Sequence, residues 1–145
     1  MNISGVNIVQ LKIIETPKGD IYHCLKNSEN IIDSFGEAYF SEVNKNQIKG
    51  WNKHRKMKTN FCVCVGEVLF VVYDDRKDSK TYNSFLKVKL SRRNYMRLTI
   101  SPGLWVAFKG LQKENMILNI ADIEHDPEEH IKMPLENIDF NWRVL

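Results

Sequence analysis

No stretch of this 145-residue sequence is long and apolar enough to cross a membrane. Its opening, "MNISGVNIVQLKIIETPKGD", has Lys12 where a secretory signal needs an unbroken apolar core, so no signal peptide is expected. Cysteine is scarce. Cys24, Cys62 and Cys64 form neither an even disulfide framework nor a metal-finger spacing, which predicts reduced thiols in a cytoplasmic protein. Seven glycines and four prolines are too few for a linker or a low-complexity segment, and no internal repeat is present. A net charge of +3 is too small for a dedicated nucleic-acid binder. Amphipathic stretches long enough for a major helix are also lacking. What remains is one soluble domain over residues 1–145, with enough chain to bury a core.

Strand signals fill that domain. "NIVQLKII" is rich in β-branched residues. "EAYFSEV" alternates and puts Glu37, Tyr39, Ser41 and Val43 on one face. "QIKGWN" follows the turn-like "NKN", and Gly66 divides "NFCVCVGEVLFVVYDD" at a tight turn or bulge. "SFLKVKLS", "MRLTI", "LWVAFKGL" and "NMILNIA" complete eight to ten short strands separated by turn signals. The pattern predicts an all-β sandwich or barrel, best matched by a jelly roll. From Glu124 onward the chain is polar and turn-rich, reading as a tail that wraps the barrel and is anchored by Phe140 and Trp142.

The segment "IKGWNKHRKM" concentrates the chemistry, with Trp51, His54 and four cations in ten positions. Metal binding is not expected, because His54 is the only imidazole in the strand-rich middle. His23 lies early, and His125 and His130 lie in the tail. Cys62 and Cys64 share a strand face and read as small buried hydrophobes. Lys49, Lys53, Arg55, Lys56 and Lys58 around Trp51 resemble a base-stacking platform. Acidic clusters at 74–75 and 124–129 offset them, and a solvated strand edge explains the charges equally simply. A small-anion pocket is the third reading, with aromatics over a base or sugar and cations at a diphosphate.

Several landmarks together resemble the dTDP-4-dehydrorhamnose 3,5-epimerase family. "KNQIKGWN" is similar to its segment ending Arg-Gly-Leu-His, and "GEVLFVVYDDRKDSKTYNSF" to its strand ending Asp-x-Arg with Ser-x-Thr and an aromatic beyond. "VKLSRRN", "ISPGLWVAF" and "DIEHDPEEH" resemble its Leu-Ser…Asn turn, its Pro-Pro-Gly turn and its Asp-x-x-x-Pro-Glu tail. The opening resembles the family start, with "TPKG" where Asp-x-Arg-Gly is usual. The resemblance implies a cupin jelly-roll barrel, usually a homodimer, that epimerises a nucleotide-linked 4-keto sugar without a cofactor. A base removes the proton α to the ketone, and an acid returns one to the opposite face.

The same resemblance exposes departures. The family's base falls at Asn52, its second active-site His at Val106, its Lys before the central strand at Thr59, and its Tyr near Leu118. The carboxylate that orients the base has no match in "IKMPLEN", and the phosphate-binding Arg is kept only in charge, as Lys49. On a regular strand His54 shares a face with Asn52, roughly 6.6 Å along, and could take over as base on a shifted substrate. Otherwise it is an imidazole satisfied by a neighbouring carboxylate or carbonyl. The expected catalytic pair is therefore His54 as base, with Tyr39 or a water as acid. Lys49, Trp51, Asn52, Asn60, Arg76, Trp105, Glu37 and Ser41 are expected around the nucleotide-linked sugar. For Tyr39 and Trp105 the alternative is packing, and for Arg76 it is a local ion pair with Asp74 and Asp75. Two functions follow: an epimerase or isomerase in surface-polysaccharide synthesis, or a sugar-nucleotide-binding or scaffold protein that has lost catalysis.

Overall fold

Alternating strands with one apolar face can be buried only by stacking sheet on sheet, and that is the solution this chain adopts. The computed structural model describes residues 2–143. Its strands, numbered in chain order, form two five-stranded antiparallel sheets. The first runs β1 (Val6–Gln10), β9 (Met96–Ile100), β6 (Thr59–Val65), β11 (Met116–Ala121), β4 (Glu37–Glu42). The second runs β12 (His130–Lys132), β5 (Ile48–His54), β10 (Trp105–Gly110), β7 (Glu67–Asp74), β8 (Ser84–Ser91). A short ribbon pairs β2 (Ile13–Ile14) with β3 (Ile21–Tyr22). The architecture is the expected all-β cupin-like jelly roll. Its twelve strands exceed the eight to ten predicted, because the two-residue and three-residue strands leave too short a pattern to read.

The main core lies between the sheets, where Phe61, Phe70 and Phe108 stack among Val63, Val72, Leu98 and Ile117. A second apolar cluster forms on the outer face of the second sheet. Trp51, Leu69, Val71, Trp105 and Ala107 are covered there by Met133, Leu135, Ile138, Phe140 and Trp142 of the tail. Trp51 donates its indole N–H to the Leu135 carbonyl at 3.3 Å, pinning tail to sheet. Gly66 crosses the chain from β6 to β7 at φ +77, and a Cβ there would meet the Glu114 carbonyl oxygen. Only glycine fits.

Cys24 and Cys62 are joined as a disulfide, which corrects the expectation of three reduced thiols. Phe61 and Val63 take the inner face of β6, so Cys62 points out and meets the loop that carries Cys24. No sequence spacing announces a contact across 38 residues. Nor does Cys62 pack as a free hydrophobe, while Cys64 is exposed. Thiol titration of the denatured, unreduced protein is expected to find one free thiol, Cys64. Finding three would restore the sequence reading.

At the end of β7, the Asp74 carboxylate is fully buried. It accepts hydrogen bonds from Arg76 Nε at 2.8 Å, Ser79 Oγ at 2.6 Å and Thr81 Oγ1 at 2.7 Å. The Arg76 guanidinium, with the hydroxyls behind it, holds this carboxyl far below the usual carboxylate range despite burial.

Candidate active site

The mouth of the barrel holds a cavity of about 420 Å³ between the two sheets. The first sheet contributes Glu37, Tyr39 and Ser41 from β4 and Asn119 from β11. The second contributes Lys49, Asn52 and His54 from β5, with His130 and Lys132 from β12. His125 enters from the tail, while Phe61, Val106, Phe108 and Ile117 form an apolar floor. A polar rim over an apolar floor is the ordinary design of a small-molecule site.

The local fold explains which residues of β5 face inward. Strict alternation would put Lys49, Trp51 and Lys53 on one face and Asn52 and His54 on the other. A bulge interrupts it, for Val106 pairs with Asn52 whereas Phe108 pairs with Lys49. Gly50 makes the bulge possible at φ +131, since a Cβ would come 2.6 Å from that of Ala107. The extra residue sends Lys49 inward beside Asn52 and His54, while Trp51, next to Asn52, alternates outward into the outer cluster.

His54 is 16% exposed in its side chain and Glu129 only 3%. The imidazole Nδ1 lies 2.7 Å from Glu129 Oε1. The Arg55 N–H donates to Glu129 Oε2 at 3.1 Å, which holds the carboxylate in place. A carboxylate at Nδ1 selects the tautomer with the proton on that nitrogen and leaves the Nε2 lone pair as the acceptor. His130 stacks on His54, with ring centroids 4.8 Å apart and planes 15° from parallel. Its Nε2–H donates to Asn52 Oδ1 at 2.9 Å. On the facing wall the Tyr39 hydroxyl accepts the Asn119 amide N–H at 3.0 Å, which leaves its own proton free to be donated. Lys49 Nζ donates to Ser41 Oγ at 3.2 Å, bridging the walls.

Burial is the main reason His130 titrates below an ordinary histidine, and the neighbouring His54 and Lys132 add to it. Its folded pKa is depressed, so the unfolded chain takes up the proton first. Stability is therefore intact above about pH 6.5 and is lost as the pH falls below that value. Urea midpoints at pH 7.5 and 5.5 should show a larger fall for the wild type than for His130→Gln. Equal falls would contradict the assignment.

Of the residues singled out in the sequence, His54, Tyr39, Lys49, Asn52, Glu37 and Ser41 are brought together in the cavity. The other four lie elsewhere. Trp51 and Trp105 pack under the tail, and the Trp105 indole N–H donates to Asp75 at 2.8 Å. Asn60 is fully buried, donating to the Ile120 carbonyl at 3.0 Å and accepting from Thr99 Oγ1 at 2.7 Å. The Arg76 side chain is bound up with Asp74. The basic run is also partly spent, since Lys53 bonds Asp75 at 2.6 Å and lies over the Trp105 ring. Sequence reasoning missed Glu129, His130, Lys132 and Asn119. Of these, "EEH" in the tail carried a detectable signal, being a carboxylate and an imidazole next to each other.

The sequence matches the dTDP-4-dehydrorhamnose 3,5-epimerase family over residues 1–145. A spore coat polysaccharide biosynthesis protein of Bacillus subtilis, SpsL, is 27% identical, with 98% of this chain and 97% of that protein covered. The crystal structure of a dTDP sugar isomerase from Desulfovibrio desulfuricans superposes with a TM-score of 0.93 at 32% identity, covering 99% of this chain and 94% of that one. The epimerase RmlC of Legionella pneumophila, solved with dTDP-4-keto-L-rhamnose, shares the fold with a TM-score of 0.84 at 22% identity, covering 93% of this chain and 76% of that one.

Proposed function

The chain belongs to the dTDP-4-dehydrorhamnose 3,5-epimerase family, and from that premise we propose that it is an epimerase or isomerase of a nucleotide-activated 4-keto deoxysugar. The observation that carries the proposal is the His54–Glu129 pair facing a cavity whose opposite wall presents Tyr39. His54 Nε2 takes the proton from the carbon next to the ketone. The electron pair left behind spreads onto the ketone oxygen as an enolate, so the step needs no redox partner. Glu129 holds the imidazole in the accepting tautomer and stabilises the imidazolium that forms. Tyr39, on the other sheet, returns a proton to the opposite face of the sugar, which inverts that carbon. The phenolate that results is supported by the Asn119 N–H and regains its proton from water, to which the His54 imidazolium releases the one it took.

Lys49 and Lys132 on the cavity wall supply positive charge for the diphosphate. The matched relatives support a dTDP-linked substrate and a place in surface-polysaccharide synthesis. We assign the protein to the cytoplasm, where such nucleotides are made, and to a homodimer. The test is transfer of deuterium from solvent into a dTDP-linked 4-keto-6-deoxy sugar, followed by proton NMR. Incorporation next to the ketone is expected.

A second reading rests on Asn52 and Val106, which line the cavity where the family places histidines. In it the protein binds sugar nucleotides without turnover. Thermal shift with dTDP-sugars but no deuterium incorporation would favour this reading over catalysis.

A further inference from the structure

We infer that Asn52 is the hydrogen-bond donor to the ketone oxygen of the substrate, and that His130 is the residue that aims it. The inference rests on the reading of the cavity as a keto-sugar site. Once a base removes the α-proton, negative charge collects on the ketone oxygen, and a fixed donor aimed at that oxygen lowers the barrier. An α-carbon and its ketone oxygen are close neighbours, so base and donor must stand side by side on one wall. Asn52 and His54 do so, two positions apart on β5 with both side chains in the cavity.

An asparagine amide can present either its oxygen or its nitrogen, and only the nitrogen suits an enolate. With its proton on Nε2, His130 sets the choice. Its Nε2–H holds Asn52 Oδ1 at 2.9 Å, which turns Nδ2 away from β12, and that nitrogen makes no hydrogen bond among the described residues. The same His130 ring stacks on His54 at 4.8 Å, so one side chain fixes base and donor relative to each other. Burial lowers the pKa of His130, which disfavours a second cation against the face of the base. Lys132, paired with Asn52 across β12 and β5, also lines the cavity and is the competing donor. It has a flexible stem and no hydrogen-bond partner among the described residues to aim it, and its charge suits the diphosphate instead.

The test uses a dTDP-linked 4-keto-6-deoxy sugar labelled with carbon-13 at the ketone carbon, with the full-length protein. In the wild type the bound ketone signal should move downfield, as a hydrogen-bonded carbonyl does. Asn52→Leu and Asn52→Asp should bind the nucleotide yet lose that shift, and where the wild type exchanges deuterium their kcat should fall by about a hundredfold. His130→Phe keeps the stacking but frees the amide, and should lose most of the shift with little change in KM. A shift present without deuterium exchange would uphold this inference while removing the catalytic reading. A signal equal in wild type and both Asn52 variants, or a shift lost instead in Lys132→Met, would overturn it.

Discussion

Replacing His54 with alanine is expected to slow solvent exchange at the substrate's α-carbon by about 10²–10⁴-fold, the usual contribution of a positioned general base. The reason lies in its carboxylate partner: Glu37 and His125 also line the cavity, but among the described residues only the His54 imidazole has its Nδ1 held by a buried carboxylate. Asn52 is an amide, Val106 is apolar, and His130 has its Nε2 committed to Asn52. KM should change little, because Lys49, Lys132 and the apolar floor remain. Added imidazole should restore part of the rate, since the alanine leaves space beside Glu129 for a free base. Glu129→Gln should fall between the two. The amide keeps the shape but removes the charge that stabilises the imidazolium, and its NH₂ can favour the wrong tautomer. Wild-type kcat in His54→Ala would place the base elsewhere.

Asp74→Ala should be the most destabilising of the polar substitutions, by about 3–5 kcal/mol. The carboxylate is fully buried and is the shared acceptor for Arg76, Ser79 and Thr81. Its loss strands three donors and frees Arg76, which also ties this loop to the carbonyl of Ser4. For a chain of this length the melting temperature should fall on the order of 10 °C. The pH dependence has a definite sign. The folded pKa of Asp74 is depressed, so its stabilisation is complete above the unfolded value near 4 and fades as the pH falls further. Wild type and Asp74→Ala should therefore converge in stability toward acid pH. A gap of the same size at pH 7 and pH 3 would contradict the buried-carboxylate account.

The legible parts of the site were those written in local alternation. Glu37, Tyr39 and Ser41 share a face because strand periodicity is two, and the same rule joins Asn52 to His54. Trp51 was misplaced although alternation with Asn52 and His54 already points it outward, whereas Lys49 reaches the cavity through a bulge at Gly50 that hydrophobicity does not mark. Trp105 followed a turn that suggests a binding loop, but its face of the sheet is covered by the tail. Asn60 is satisfied by Thr99 and Ile120, distant in sequence, and nothing local reveals them, whereas the local pair with Asp74 was already the alternative reading for Arg76 and is the one the structure adopts. Glu129 completes the His54 pair from 75 positions away. The polar tail read as a wrapper, and it is one, but it also delivers the carboxylate, His130 and Lys132 to the cavity. The Cys24–Cys62 bond escaped for the same reason, since pairing is a tertiary fact.

The most direct test is a crystal structure of the protein with a dTDP-linked 4-keto-6-deoxy sugar. It should show the sugar in the cavity, with a carbon next to the ketone about 3–3.5 Å from His54 Nε2 and the Tyr39 hydroxyl over the opposite face of the ring. A sugar bound outside the cavity, or inside it with both α-carbons beyond reach of that nitrogen, would contradict the account.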